Sequence, residues 1–277
     1  MKKIIDYMLE EDEGFGDITS NFLIDKSKII TATIISKENG IFAGFDIVKK
    51  IFEENNIEII SNLDDGFRID EDDVLIEIIG EARKILLLER TILNLLMRMS
   101  GVATYTREIV DEINKINPNC RIAGTRKTSP GISKFDKIAI SIGGGDTHRF
   151  SLDDMVLIKD NHIAIVGSPV DALKIAKSKV SFSKKIEIEV ESLDDAVECA
   201  KNGADIIMLD NMSSKEINEV LSKLSKLNIR ENVLIEISGG INKDNILDYA
   251  SLDVDIISLG ALTHSSKSLN FSLNVVD

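Results

Sequence analysis

The chain has 277 residues, 43% of them hydrophobic and 29% charged, enough for one large domain or two smaller ones with a sizeable core. Its net charge of -14 argues against general binding to nucleic acid or to an anionic membrane surface. Cys120 and Cys199 are the only cysteines, and two isolated thiols cannot by themselves build a structural zinc site.

Residues 1–100 read as a mixed α+β domain. A short helix is predicted over 1–11, followed by a turn at Gly14-Phe15-Gly16-Asp17. Met1-Lys2-Lys3-Ile4 leads into the acidic run Glu10, Glu11, Asp12, Glu13 rather than an apolar core, so neither a signal peptide nor a membrane span is expected. Together with reduced thiols this points to the cytoplasm. β-Branched runs predict strands over 29–36, 57–60 and 74–79, with a helix over 42–55 and an acidic turn at Asp64-Asp65-Gly66. Ile85, Leu88, Ile92, Leu95, Leu96 and Met99 recur at helical spacing, predicting a helix over 83–99 and a second over 103–116.

From residue 120 the rhythm changes. Short apolar runs at 122–124, 155–158, 186–190, 206–209, 233–237 and 256–259 alternate with helix-like stretches at 169–178, 193–201, 215–227 and 245–250. Strands that are apolar throughout and separated by helices form a parallel sheet covered by helices, an α/β arrangement that closes as a barrel or broken barrel.

The stretch 121–162 carries the chemistry. It holds seven Lys/Arg (Arg121, Arg126, Lys127, Lys134, Lys137, Arg149, Lys159) against five Asp, in a chain that is otherwise strongly acidic. Such a concentration focuses positive potential where an anion sits. Gly143-Gly144-Gly145, just before His148-Arg149, would let backbone N–H groups approach a ligand. Polar residues also follow each predicted strand: Arg126 and Lys127, Lys159, Glu189, Asp210 and Asn211, Ser238-Gly239-Gly240, and Ser258 with Gly260 and Thr263. In a parallel barrel those ends open on one face. Arg suits planar carboxylates and Lys suits phosphate. The glycine loops after the last two strands suit a phosphate. Glu189 and Asp210 suit Mg²⁺ or a developing cation on a sugar carbon. His148, His162 and His264 each adjoin a candidate loop without zinc-ligand spacing.

These pieces occur within longer runs: Gly16-Asp17-Ile18-Thr19, Glu89-Arg90-Thr91, Ser100-Gly101-Val102-Ala103-Thr104, Thr125-Arg126-Lys127-Thr128 with Pro130-Gly131, and Leu157-Ile158-Lys159-Asp160-Asn161-His162. Glu187-Ile188-Glu189-Val190, Leu209-Asp210-Asn211, Ser238-Gly239-Gly240 and Gly260-Ala261-Leu262-Thr263-His264 follow. In this order the chain resembles the quinolinate phosphoribosyltransferases. The resemblance implies an N-terminal α+β open-faced sandwich domain (1–102, with 265–277 packing on it) and an incomplete parallel α/β barrel (103–264). It implies conversion of quinolinate and phosphoribosyl pyrophosphate to nicotinate mononucleotide, pyrophosphate and CO2, with Mg²⁺ held through Glu189 and Asp210. Arg126, His148, Arg149 and Lys159 would then hold the quinolinate carboxylates. Lys127, Lys159, Glu189 and Asp210 would surround the ribose and pyrophosphate as the catalytic set. Ser238, Gly239, Gly240, Ser258 and Gly260 would hold the 5′-phosphate, with His264 nearby. A homodimer or higher oligomer is implied, in which Arg90 enters the partner's site.

One departure stands out. After Pro130-Gly131 the family shows Leu-Arg, whereas this chain has Ile132-Ser133-Lys134, so Lys134 is expected to stand in for the arginine. Three alternatives remain: a molybdenum-transport-associated relative with another substrate, a Schiff-base aldolase using Lys159, and a non-catalytic phosphate-binding barrel.

Overall fold

The computed structural model describes residues 1–276. In chain order the elements are α1 (Lys2–Glu13), α2 (Ile18–Leu23), β1 (Ile29–Ser36), β2 (Gly40–Ile41), α3 (Phe45–Glu54), β3 (Glu58–Asn62), β4 (Arg68–Ile69), β5 (Val74–Glu81), α4 (Ala82–Asn114), β6 (Arg121–Gly124) and α5 (Ser133–Ile142). They continue with β7 (Val156–Ile158), α6 (Asp160–Val166), α7 (Pro169–Lys179), β8 (Ile186–Val190), α8 (Leu193–Lys201), β9 (Ile206–Asp210), α9 (Ser214–Lys226), β10 (Leu234–Ser238), α10 (Leu247–Ala250), β11 (Ile256–Leu259), α11 (Ala261–His264) and β12 (Phe271–Val276). The chain forms two compact units, each built from separate stretches. The first takes Met1–Arg107, Thr128–Gly144 and Leu262–Asp277; the second takes Glu108–Lys127 and Gly145–Ala261. The division expected at 102/103 is thus interleaved, with 128–144 belonging to the first unit.

In the first unit a four-stranded antiparallel sheet has the order β12-β1-β5-β3, and β2 pairs with β4. Ala32 and Ile34 of β1, with Leu75, Ile76 and Ile78 of β5, are fully buried and anchor this core. The acidic turn at 64–66 serves α3. Asp65 Oδ1 accepts from the N–H groups of Gly44 (2.6 Å) and Phe45 (2.9 Å), satisfying orphan donors at that helix start.

The two helices expected over 83–99 and 103–116 are one, α4. Gly101 does not break it. A Cβ there would lie 1.9 Å from the carbonyl oxygen of Lys267, so glycine is required by close backbone approach. The hydroxyls of Ser100 and Thr104 on α4 accept from the N–H groups of Ala43 (2.9 Å) and Ile41 (2.8 Å). The Ser-Gly-Val-Ala-Thr run therefore joins α4 to the chain between β2 and α3.

Of the run Gly143-Gly144-Gly145 expected to admit a ligand, Gly143 is instead required by packing. A Cβ on Gly143 would sit 2.6 Å from the Ala103 carbonyl oxygen and 2.7 Å from Thr106 Cβ, so this glycine lets α5 meet α4. Lys134 and Lys137 also lie in the first unit. Lys137 is buried and Lys134 is exposed on α5.

The second unit is a six-stranded, wholly parallel sheet in the order β6-β11-β10-β9-β8-β7. It is an open α/β barrel: among the described residues β7 remains an edge, and the outer side of β6 meets only a short bridge between Ala123 and Asp146. Ile188, Ile207, Leu209, Ile235, Ile237 and Ile257, each fully buried, alternate along the strands with the polar residues Glu187, Glu189, Asp210, Glu236, Ser238 and Ser258, so the sheet has one apolar face and one polar face. Ser168, Ser192 and Ser213 cap α7, α8 and α9 through their side chains. That fixes where each helix begins after its strand.

Candidate active site

All six strands of the parallel sheet end on one pocket of about 320 Å³. Gly124, Thr125, Arg126 and Lys127 reach it from β6, and Leu157 and Lys159 from β7. Glu189 comes from β8, Met208 and Asp210 from β9, Glu236 and Ser238 from β10, and Ser258 from β11, while His148 and Arg149 enter from the loop after α5. Residues separated by up to 134 positions, from Gly124 to Ser258, thus share one opening, as strand ends in a parallel barrel must.

Each side chain is held by local structure. Lys159 pairs with the Glu189 carboxylate across the β7–β8 step. Its backbone N–H donates to His162 Nδ1 at 2.9 Å, so His162 shapes the turn that presents the lysine. Asp210 Oδ2 accepts from Asn211 Nδ2 at 2.6 Å. Asn211 has a left-handed backbone, φ 55°, and its N–H donates to the Ser238 carbonyl at 2.9 Å. Gly239, φ 97°, packs on that asparagine: a Cβ there would lie 2.2 Å from Asn211 Oδ1. The acid after β9 and the glycine loop after β10 are therefore one rigid piece.

The electrostatics divide the pocket. Burial holds the Asp210 carboxyl above its ordinary range, opposed by the ammonium groups of Lys159 and Lys127. Burial and the neighbouring Arg126 charge lower Arg149, whose side chain is only 7% exposed. His148 Nε2 lies 3.2 Å from Glu236 Oε2 and 3.4 Å from Glu187 Oε2. Burial alone would push this imidazole down, but the two carboxylates outweigh it and push it up to about 10. Burial raises the Glu187 carboxyl, opposed by its contact and charge interaction with His148 and by the charge of Arg149.

Of the residues singled out in the sequence, Arg126, Lys127, His148, Arg149, Lys159, Glu189, Asp210, Ser238 and Ser258 come together here. Gly239, Gly240 and Gly260 directly follow the lining strands β10 and β11. Arg90 and His264 belong to the first unit. Arg90 is exposed on α4 and borders a hollow shared with Glu11, Asp12, Asn94 and Arg98. His264 is exposed, its Nδ1 2.7 Å from Ser265 Oγ. Lys134 is not in the pocket lining. Sequence reasoning missed Glu187 and Glu236. Their signal was available: a carboxylate inside Ile-Glu-Ile-Glu-Val or Leu-Ile-Glu-Ile-Ser, in a sheet covered by helices on its apolar face, is too expensive to bury without a task.

Comparison with known proteins agrees with this geometry. The family model for the quinolinate phosphoribosyl transferase C-terminal domain matches residues 102–274, and that for the N-terminal domain matches 17–100. A protein of Methanocaldococcus jannaschii described as a probable nicotinate-nucleotide pyrophosphorylase (carboxylating) is 50% identical over 276 residues, 99% of this chain and 96% of its own. The nicotinate-nucleotide pyrophosphorylase (carboxylating) of Rattus norvegicus is 34% identical over 253 residues, 91% of this chain and 84% of its own. The crystal structure of NadC from Streptococcus pyogenes superposes with a TM-score of 0.91 at 36% identity, covering 100% of this chain and 97% of that one. The chain belongs to the quinolinate phosphoribosyltransferase family.

Proposed function

We propose that the pocket at the strand ends of the second unit is where the family's reaction takes place. The chain carries the carboxylating nicotinate-nucleotide pyrophosphorylase activity of NAD biosynthesis: quinolinate and phosphoribosyl pyrophosphate yield nicotinate mononucleotide, pyrophosphate and CO2. The observation that carries the site assignment is the meeting of Arg126, Arg149, Lys127 and Lys159 with Glu189 and Asp210 in one pocket. Quinolinate brings two carboxylates, and the sugar brings a phosphate and a diphosphate. A cation-rich wall faces the first kind of group and lysines the second.

In this reading Arg126, His148 and Arg149 hold the pyridine dicarboxylate. Lys159 and Lys127 neutralise the pyrophosphate as the bond from the anomeric carbon breaks and its electron pair leaves with that oxygen. Glu189 and Asp210 stabilise the positive charge developing on the ribose, in a setting where fixed charges need no reorganisation. The pyridine nitrogen supplies the electron pair of the new bond. The adjacent carboxylate then leaves as CO2, its bonding pair staying on the ring carbon until a proton arrives. The 5′-phosphate rests on Ser238, Gly239 and Gly240, with Ser258 and Gly260 alongside. Two hard carboxylates at Glu189 and Asp210 fit Mg²⁺, an ion that keeps several waters and shares itself with phosphates. When bound it would neutralise leaving-group charge.

We place the enzyme in the cytoplasm and read it as a homodimer in which Arg90 serves the partner's pocket. Phe15, Ile18, Phe22 and Leu23 support an apolar partner surface: all are large, and each is more than two-thirds exposed on or beside α2. His264 is assigned beside the phosphate only through the family pattern. No helix among the described residues is long and apolar enough to cross a membrane.

The test is formation of nicotinate mononucleotide from quinolinate and phosphoribosyl pyrophosphate, with stoichiometric CO2 from carboxyl-labelled quinolinate. Nicotinate and nicotinamide are controls. Product from nicotinate at equal efficiency, or none from quinolinate, would reject the assignment.

A further inference from the structure

Glu187 and Glu236 are absent from the mechanism above, yet both are fully buried. Each lies two residues before a pocket residue on the same strand: Glu187 before Glu189 on β8, Glu236 before Ser238 on β10. Side chains two apart share a face, so the carboxylates sit one layer below Glu189 and Ser238, with Glu236 itself forming part of the pocket floor. They meet at His148 Nε2, at 3.4 and 3.2 Å. Glu236 Oε2 is within hydrogen-bonding distance of the ring, Glu187 Oε2 makes an ion-pair contact with it, and Glu236 Oε1 and both oxygens of Glu187 find no hydrogen-bond donor among the described residues. A position so costly to charge calls for a compensating role.

The backbone at His148 supplies the second observation. Its φ is 52°, a left-handed conformation that a residue with a Cβ adopts only when surroundings over-determine it. One tether is its N–H, which donates to Asp146 Oδ1 at 2.8 Å. The other is the ring, drawn into the sheet by the carboxylates. The ring also borders two cavities. One is the catalytic pocket; the other, about 470 Å³, is lined by Arg121, Asp146, Met155 and Leu234 among the strand starts. Space lies on both sides of the imidazole, so packing alone does not fix it.

We infer that Glu187 and Glu236 are positioning residues, clamping the His148 ring at the pocket floor and so aiming the adjoining Arg149 guanidinium at a quinolinate carboxylate. The inference rests on the assignment of this pocket to quinolinate. The clamp sits next to a guanidinium whose charge both glutamates favour and whose Nε is buried without an acceptor among the described residues. The raised imidazole described above agrees with a ring held between two acceptors.

The experiment compares wild type with Glu187→Gln, Glu236→Gln and the double variant. Quinolinate and phosphoribosyl pyrophosphate dissociation constants, kcat at saturation, melting temperature and the ¹⁵N spectrum of the His148 ring are measured. Each single change should raise the quinolinate dissociation constant about tenfold, the worth of one charge-assisted hydrogen bond. Pyrophosphate-sugar binding should hold and the ring signal should move. Simple loss of a negative charge beside an anion site predicts the opposite sign. Unchanged or tighter quinolinate binding in folded variants overturns the inference. So does a stoichiometric divalent ion that copurifies with wild type and is lost in the variants. If the double variant fails to fold, Glu236→Asp, which keeps the charge and shortens the reach, must still weaken quinolinate alone. Arg149→Ala separates the two levels: wild-type quinolinate binding there removes the pocket assignment itself. Lost binding there, with normal binding in both glutamine variants, removes only the clamp.

Discussion

Arg149→Lys keeps the charge of the pocket and removes the fork. Arg149 is 7% exposed, so its hydrogen bonds to a carboxylate are desolvated rather than screened as at a surface. A bidentate guanidinium–carboxylate contact makes two parallel bonds where an ammonium on a shorter reach makes at most one. Losing one hydrogen bond to a charged group removes about 1.5–3 kcal/mol. At 1.4 kcal/mol per decade that is a rise in the quinolinate dissociation constant of about tenfold to about a hundredfold. Calorimetric titration with quinolinate measures it directly, and steady-state kinetics at saturating phosphoribosyl pyrophosphate gives the matching rise in KM. The melting temperature should stay near wild type, because Arg149 lines a pocket rather than the core. A Lys variant that binds quinolinate within threefold of wild type would refute the assignment of Arg149 as a carboxylate fork.

Asp136 is fully buried and accepts two bonds from Arg98, at 2.9 and 3.1 Å. Asp136→Asn should lower stability by about 3–5 kcal/mol in urea unfolding, the cost of stranding a buried charge; a loss under about 1 kcal/mol would show that the pair is not structural. His148 lies above its ordinary range, so the native state keeps a proton that the unfolded chain releases. That stabilisation is complete below about pH 6.5 and fades as pH climbs through about 10. Unfolding free energy should therefore drop by a few kcal/mol between pH 7 and 10 in wild type, less in His148→Gln; equal slopes would contradict it. Gly239→Ala places a Cβ against Asn211 at a left-handed φ of 97°, so it should weaken phosphoribosyl pyrophosphate binding about tenfold or more, as titration would show. Retained binding would mean the loop yields.

Much of the barrel was legible because its strands are short runs rich in β-branched and apolar residues and helices separate them. Ile186–Val190, for instance, has the predicted bounds. The site residues at strand ends were legible for the same reason, since a parallel sheet leaves those ends no other place. What failed was distance-dependent. Nothing local in Ser100-Gly101-Val102 reveals that Lys267 will press on Gly101, so a continuous helix looked like two. Gly143 looked like a ligand loop because its partner, Thr106, is named only by packing. Strand β12 carries Ser272 and Asn274 among apolar residues and was read as a tail, yet it pairs with β1 over six positions.

That last pairing has a consequence for the life of the chain before it is finished. β1 reads Ile-Ile-Thr-Ala-Thr-Ile-Ile-Ser, eight residues without charge, proline or glycine, and β12 is what covers its outer side. While a ribosome is still making the parallel sheet, that side stands open, with bare backbone donors and acceptors on a segment well suited to intermolecular stacking. Clipping 271–276 would leave every residue of the strand-end pocket in the chain and turn a covered edge into a sticky one.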